Sequence, residues 1–241
     1  MGIVCPGIPQ RLALWLRDES ATKDFIETGT YLGATALWAA QHFDRVVSVE
    51  AKQELYDASR ERLASHENVD LRLGRSQDVL ATLVPELSHP ALFWLDAHWS
   101  CGATAGEDQE CPVLEEIAAI DAGIVQHVIL IDDARYFLNP PPPPHKREHW
   151  PSLGTVIEQL RAKYDGYICV TDDVIIRLPM ALRDAFEAFI SHRPPTRHNS
   201  QASVSSDCED STIAPQLIVN STSWKLTSPL RWAIARVIGK R

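Results

Sequence analysis

The sequence predicts a doubly wound α/β domain, a mostly parallel sheet of seven strands closed by a C-terminal antiparallel hairpin. Three observations predict it. Short apolar runs alternate with longer amphipathic runs from Arg11 to about Ser191, the rhythm of repeated βα units. Two of the short runs, Leu92-Phe93-Trp94-Leu95 and Val128-Ile129-Leu130-Ile131, are apolar without interruption, as strands are when helices cover both faces. The last two runs are separated by almost nothing around Asp172 and Asp173, too little chain for a helical crossover, so they must pair antiparallel.

Taken in order, strands are expected over Asp24 to Thr28, Arg45 to Glu50, Val69 to Leu73, Ala91 to Asp96, Gln126 to Ile131, Tyr167 to Thr171 and Asp173 to Leu178. Helices are expected between them over Ala34 to His42, Gln53 to Ala64, Gln77 to Leu87, Pro112 to Ala122 and Ser152 to Tyr164. The five prolines Pro140 to Pro144 read as an extended surface loop after the fifth strand. Residues 1–192 form the folded domain in this reading. The Ser-, Thr-, Pro- and Asn-rich segment 193–223 reads as a linker, and 224–241 as a short amphipathic tail.

The 241 residues, 45% hydrophobic, suit one α/β domain with extensions. A net charge of −9 argues against a nucleic-acid partner held by phosphate neutralisation, and a small-molecule or glycan ligand is easier to reconcile with it. Five scattered cysteines in a chain of this size read as reduced thiols, hence a cytoplasmic protein. The N-terminus shows no signal peptide, and no stretch is long and apolar enough to span a bilayer.

The most informative stretch is Phe25-Ile26-Glu27-Thr28-Gly29-Thr30-Tyr31-Leu32-Gly33, a strand entering a glycine-bearing turn before a helix. Glycines at Gly29 and Gly33 let the backbone bend and let a ligand approach it closely. Glu50 ends the next strand, 21 residues after Gly29, where an acid can hold ribose hydroxyls. The G-x-G-x-x-G spacing of dinucleotide sites is missing, and Glu27 would repel a pyrophosphate while suiting an ammonium group and a nearby sulfonium. The chain here resembles the class I S-adenosylmethionine-dependent methyltransferases, whose sheet is Rossmann-like with a terminal hairpin, over about Asp24 to Leu178. The resemblance implies S-adenosylmethionine as cofactor, bound by Glu27, Gly29, Thr30, Tyr31, Gly33, Glu50, Ser76 and Asp96, with Gly74 to Gln77 framing the adenine. The blocks Trp94 to Trp99 and Ile131 to Arg135 look like those of sugar and small-molecule O-methyltransferases from bacterial glycan gene clusters.

Asp96 closes the fourth expected strand, and Asp132 with Asp133 the fifth. Acids at adjacent strand ends can converge, and a divalent ion would relieve their repulsion. In catechol O-methyltransferase-like enzymes such acids hold Mg2+, so the resemblance implies a metal at Asp96, Asp132 and Asp133. It departs where those enzymes carry a lysine base, because this chain has Trp99; His98 is the nearest substitute. Asp133 can equally serve only to hold its loop. The His98 to Cys111 loop is long enough to be a lid, and a zinc site at His98, Cys101 and Cys111 lacks both a Cys-x-x-Cys pair and a fourth ligand.

The tail carries Lys225, Arg231, Arg236, Lys240 and Arg241 and no acid, leaving −14 on the remainder of the chain. Such a segment fits the anionic inner face of a membrane, a protein partner, or the chain's own acidic domain. The expected function is O-methylation of a sugar hydroxyl in a surface glycan or secondary metabolite. An NAD-dependent sugar oxidoreductase and a non-catalytic scaffold stand as the alternatives.

Overall fold

In the computed structural model, residues 7–100 and 104–192 are described; they fall within one compact unit, Met1–Pro194. The linker and the basic tail lie outside the described residues, as do Cys5, Cys101 and Cys208.

Seven strands form one sheet: β1 (Asp24–Thr28), β2 (Arg45–Glu50), β3 (Val69–Leu73), β4 (Ala91–Leu95), β5 (Val128–Ile131), β6 (Gly166–Thr171) and β7 (Val174–Pro179). Their order is β3-β2-β1-β4-β5-β7-β6. The first five run parallel, β7 lies antiparallel to both β5 and β6, and the expected hairpin is present. Its turn is only Asp172 and Asp173, both at positive φ (52° and 63°), a short polar pair that tolerates the left-handed region needed to match strand twist.

Among the described residues, eight α-helices flank the sheet: α1 (Gln10–Glu19), α2 (Ala34–Ala40), α3 (Gln53–Leu63), α4 (Ser76–Leu83), α5 (Val113–Ala122), α6 (Ala134–Leu138), α7 (Leu153–Arg161) and α8 (Arg183–Ser191). Alternate residues of each central strand serve opposite cores. Phe25, Leu92, Trp94, Leu130 and Ile176 pack with α1, α2 and Phe186 of α8, whereas Ile26, Phe93, Leu95, Ile129 and Ile131 pack with α4, α5 and α7. Two covered faces account for the uninterrupted apolar runs.

Several expected boundaries move for local reasons. β4 stops at Leu95, so Asp96 opens the loop. Ser152 lies outside α7 as its N-cap, its hydroxyl accepting from the Thr155 amide at 3.2 Å. The stretch Val84–Glu86 tightens into a 3-10 turn around Pro85 instead of prolonging α4. Helices α1, α6 and α8 were not among the expected elements, and α6 intervenes between β5 and the proline run.

Candidate functional site

The strand order reverses between β1 and β4, which opens a crevice at their carboxyl ends, the usual ligand position in an open parallel sheet. Every acid singled out at a strand end stands at this edge.

On one side of the crevice, the bend after β1 is held from three directions. Glu50 at the end of β2 accepts from the Tyr31 amide at 2.8 Å and from the Lys52 amide at 2.9 Å, so its carboxylate meets the bend itself. The Ser59 hydroxyl donates to the Tyr31 carbonyl at 2.6 Å, and Arg62 donates to that of Leu32 at 3.0 Å, which fastens the bend to α3. Burial raises the Glu50 carboxyl above its ordinary range, against the pull of the Lys52 and Tyr31 amides. Inside the sheet, Glu27 accepts from Ser48 at 2.6 Å. Because Ser48 spends its proton there, Thr30 must donate to Ser48 across their 2.5 Å contact. Full burial, added to the charges of Asp96 and Glu50, pushes Glu27 up to about 8 despite the Ser48 bond.

The two glycines have reasons other than ligand approach. Gly29 sits at φ 84°, and a Cβ there would run into the Asp96 carbonyl. Gly33, the N-cap of α2 at φ 73°, would place its Cβ 3.3 Å from Leu63 and 3.6 Å from Ser59, against α3 and not in a ligand cleft.

Across the crevice, Asp96, His98, Asp132, Asp133 and Arg135 form a chain of charges. His98 places Nε2 3.0 Å from Asp133 and Nδ1 3.4 Å from Asp96. Arg135 pairs with Asp133 at 2.6 Å and also with Asp173 in the hairpin turn. Asp132 turns back to accept from the Asp133 amide at 2.7 Å. Burial works against a charged His98, but its bond to Asp133 and the charges of Asp96, Asp133 and Asp132 outweigh it and hold the ring at about 9. Burial pushes Asp96 up to about 6, with His98 opposing, and Asp132 up to about 8, with Asp96 and Asp133 adding to the rise. Asp133 is held low, since hydrogen bonding and charge from His98 and Arg135 overcome its burial.

His98 and Arg135 stand between Asp96 and Asp133 and beside Asp173, and among the described residues no group of three or more His, Cys, Asp or Glu side chains is arranged to hold a metal ion. With its ring held at about 9, His98 stands among these acids as their cation.

Two buried acids escaped the sequence. Glu110, fully buried, accepts from the Trp150 indole at 2.9 Å, the Lys146 amide at 2.9 Å and His145 at 3.0 Å, pinning the loop after β4 to the segment after the prolines. Trp150 in turn packs against His98, Tyr136 and Phe137. Glu116 on α5 is 1% exposed and is pushed up to about 7 by burial, with Ser76, Thr28 and His98 opposing. Both acids sit where a solvated helix start or loop is the ordinary reading, and only packing against neighbouring segments buries them. The more voluminous hollow, about 340 Å3 between α1 and α8, lies away from these acids.

Strand order, crevice and terminal hairpin together define the class I methyltransferase fold. Among solved structures, the O-methyltransferase TomG from Streptomyces achromogenes, involved in tomaymycin synthesis and solved with S-adenosylmethionine, matches with a TM-score of 0.51 at 19% identity. The match covers 72% of this chain and 80% of that one. An O-methyltransferase from Bacillus cereus, solved with S-adenosylhomocysteine, matches with a TM-score of 0.51 at 16% identity over 71% and 81% of the two chains. No protein-family model and no curated protein matches the sequence.

Proposed function

We propose that the chain is an S-adenosylmethionine-dependent O-methyltransferase acting on a small-molecule or glycan hydroxyl. The contact between the Glu50 carboxylate and the Tyr31 amide carries this reading, because it brings a ribose-binding acid to the same bend that Glu27 backs from beneath. Glu50 is the residue to hold the ribose hydroxyls and Glu27 the ammonium; the amides of Thr30 and Tyr31 are engaged by the Val49 carbonyl and by Glu50 and serve to shape the bend. Bound there, the cofactor supplies an electrophilic methyl group on a sulfonium.

The chain's own residues supply the rest. Asp96, whose side chain is 29% exposed, accepts the proton of the acceptor hydroxyl, its pKa of about 6 lying close below neutrality. His98 keeps its proton and stabilises the oxygen's developing negative charge through a fixed positive charge. With His98 against Asp96 and Asp133, and Arg135 against Asp133, the acids do not fit a Mg2+ cage in this arrangement. An acceptor from a surface glycan or secondary metabolite accords with the acidic balance of the domain. The cationic segment 224–241 suits an anionic membrane face or a protein partner, and among the described residues no helix is long and apolar enough to cross a membrane.

Calorimetry with S-adenosylhomocysteine and with NAD tests the reading. Binding of the first alone supports it, binding of NAD alone replaces it with a dehydrogenase, and binding of neither leaves a scaffold.

A further inference from the structure

Helix α1 buries Leu12, Ala13 and Leu16 in the core and turns a second stripe outward, Arg11, Trp15 and Glu19, spaced i, i+4 and i+8. Beside it α8 buries Phe186 and leaves Ala185 and Ala188 exposed, and the stripe, these two alanines and Phe189 line the hollow of about 340 Å3 between the helices. The Trp15 ring is fixed in place: it stacks on Phe189 with centroids 4.6 Å apart and planes 14° from parallel, and it leans on Phe186 at 5.7 Å. A large ring held at the edge of an open hollow keeps apolar surface in water, and association that fills the hollow removes it. A ring already fixed in the middle of the stripe is suited to anchor an interface, because covering it costs little conformational freedom.

The charges on the stripe say what the partner is. Of the four charged side chains of α1, Arg17 and Asp18 pair with each other at 2.6 Å. Arg11 and Glu19 are exposed, and among the described residues neither has an ion pair or hydrogen bond. They stand on either side of Trp15, about 12 Å apart along the helix axis. A second copy of the same helix laid antiparallel across Trp15 brings Arg11 of each copy to Glu19 of the other, whereas a parallel copy sets like charge on like. The stripe is thus its own complement under a two-fold axis, and such a pairing closes at two chains. Its i, i+4 spacing is that of the ridges by which two helices interdigitate.

We propose that the face formed by α1 and α8 is the interface of a homodimer, in which two α1 helices cross antiparallel at Trp15 and Arg11 pairs with Glu19 twice across the axis. The hollow lies away from the acids of the crevice, so the pairing stands independently of the methyltransferase reading.

Sedimentation velocity of the full chain tests this, and the wild type should travel with the mass of two chains at micromolar concentration. Arg11→Glu and Glu19→Arg, each made alone, set like charges together twice per dimer and should weaken association by about tenfold or more. Circular dichroism should show that these exposed substitutions leave the fold intact. Two rescues are expected. The double variant, Arg11→Glu with Glu19→Arg, exchanges the charges and should dimerise as the wild type does. An equimolar mixture of the two single variants should form a heterodimer, since the stripe of one then carries only acids and that of the other only bases. A wild-type chain that remains a monomer overturns the inference and leaves the hollow to a different occupant. A dimer indifferent to both single reversals places the interface elsewhere, and single variants that weaken the dimer yet fail to restore it when mixed rule out the antiparallel pairing.

Discussion

The carbonyl of Asp96 fills the space that a Cβ on Gly29 would need. The bend after β1 and the first turn beyond β4 are thus packed backbone to backbone, and the Asp96 amide reinforces the contact by donating to the Thr28 carbonyl at 3.1 Å. Gly29→Ala must therefore strain a φ of 84° and also part the two loops. It should destabilise the protein by about 2–4 kcal/mol in denaturant titration and abolish S-adenosylhomocysteine binding. Retention of both stability and binding would show that the loops separate without consequence.

The charge chain makes a prediction about metal. Wild-type thermal stability should be indifferent to EDTA and to millimolar Mg2+, because His98 and Arg135 already neutralise Asp133, and His98 also faces Asp96. His98→Ala removes one of those cations and leaves Asp96, Asp132 and Asp133 facing one another. The melting temperature of this variant should fall, and Mg2+ should recover part of the loss. A wild-type protein that is itself stabilised by Mg2+ would mean that the carboxylates rearrange around the ion.

How much of this was legible in the sequence depended on whether a residue's role is local. All seven strands were legible because each is a short run bounded by polar turns, and Glu50, Asp96, Asp132 and Asp133 could be placed because a strand's end is also its functional end. Helix α6, five residues long, is too short for periodicity to register. Helix α1 carries a signal that was passed over, Leu12, Ala13 and Leu16 on one buried face. Glu110 and Glu116 were not legible, since their burial follows from contacts 35 to 40 residues away for Glu110 and from Thr28 and Ser76 for Glu116. The pairing of His98 with two acids was beyond reach for the same reason: it depends on how the loops after β4 and β5 lie together.

Stability should fall as the pH rises. Glu27 at about 8, Glu116 at about 7 and Asp132 at about 8 all stand above their unfolded values, so the folded state holds protons that the unfolded chain gives up from about pH 4–4.5 upward. Their contribution is complete below that range and disappears as the pH passes each folded value; His98, raised from 6.5 to about 9, acts in the same direction at higher pH. His127 opposes them. Buried and accepting from the Ala91 amide at 3.1 Å, it is lowered to about 4, mainly by burial, so its contribution is complete above about 6.5 and is lost as the pH falls toward 4. Urea midpoints measured from pH 5 to 9 should decline toward the alkaline end, and Glu27→Gln should flatten the decline between pH 5 and 8. An unaltered slope in that variant would mean that Glu27 is ionised in the folded protein.

Remote from the crevice, Arg177 in β7 is entirely buried, and its guanidinium grips Asp121 of α5 at 2.8 and 2.7 Å while also donating to the Leu160 carbonyl at 3.1 Å. This pair ties the terminal hairpin to the helix that carries Glu116. Asp121→Ala strands a buried cation and should cost about 3–5 kcal/mol, whereas Asp121→Ala combined with Arg177→Met should recover much of that loss, because no unpaired charge remains. Chemical denaturation of the two variants distinguishes the cases. Recovery in the double variant means the pair contributes mainly by mutual neutralisation; a further loss means its hydrogen bonds set the register of β7 against α5, in which case S-adenosylhomocysteine affinity should fall as well.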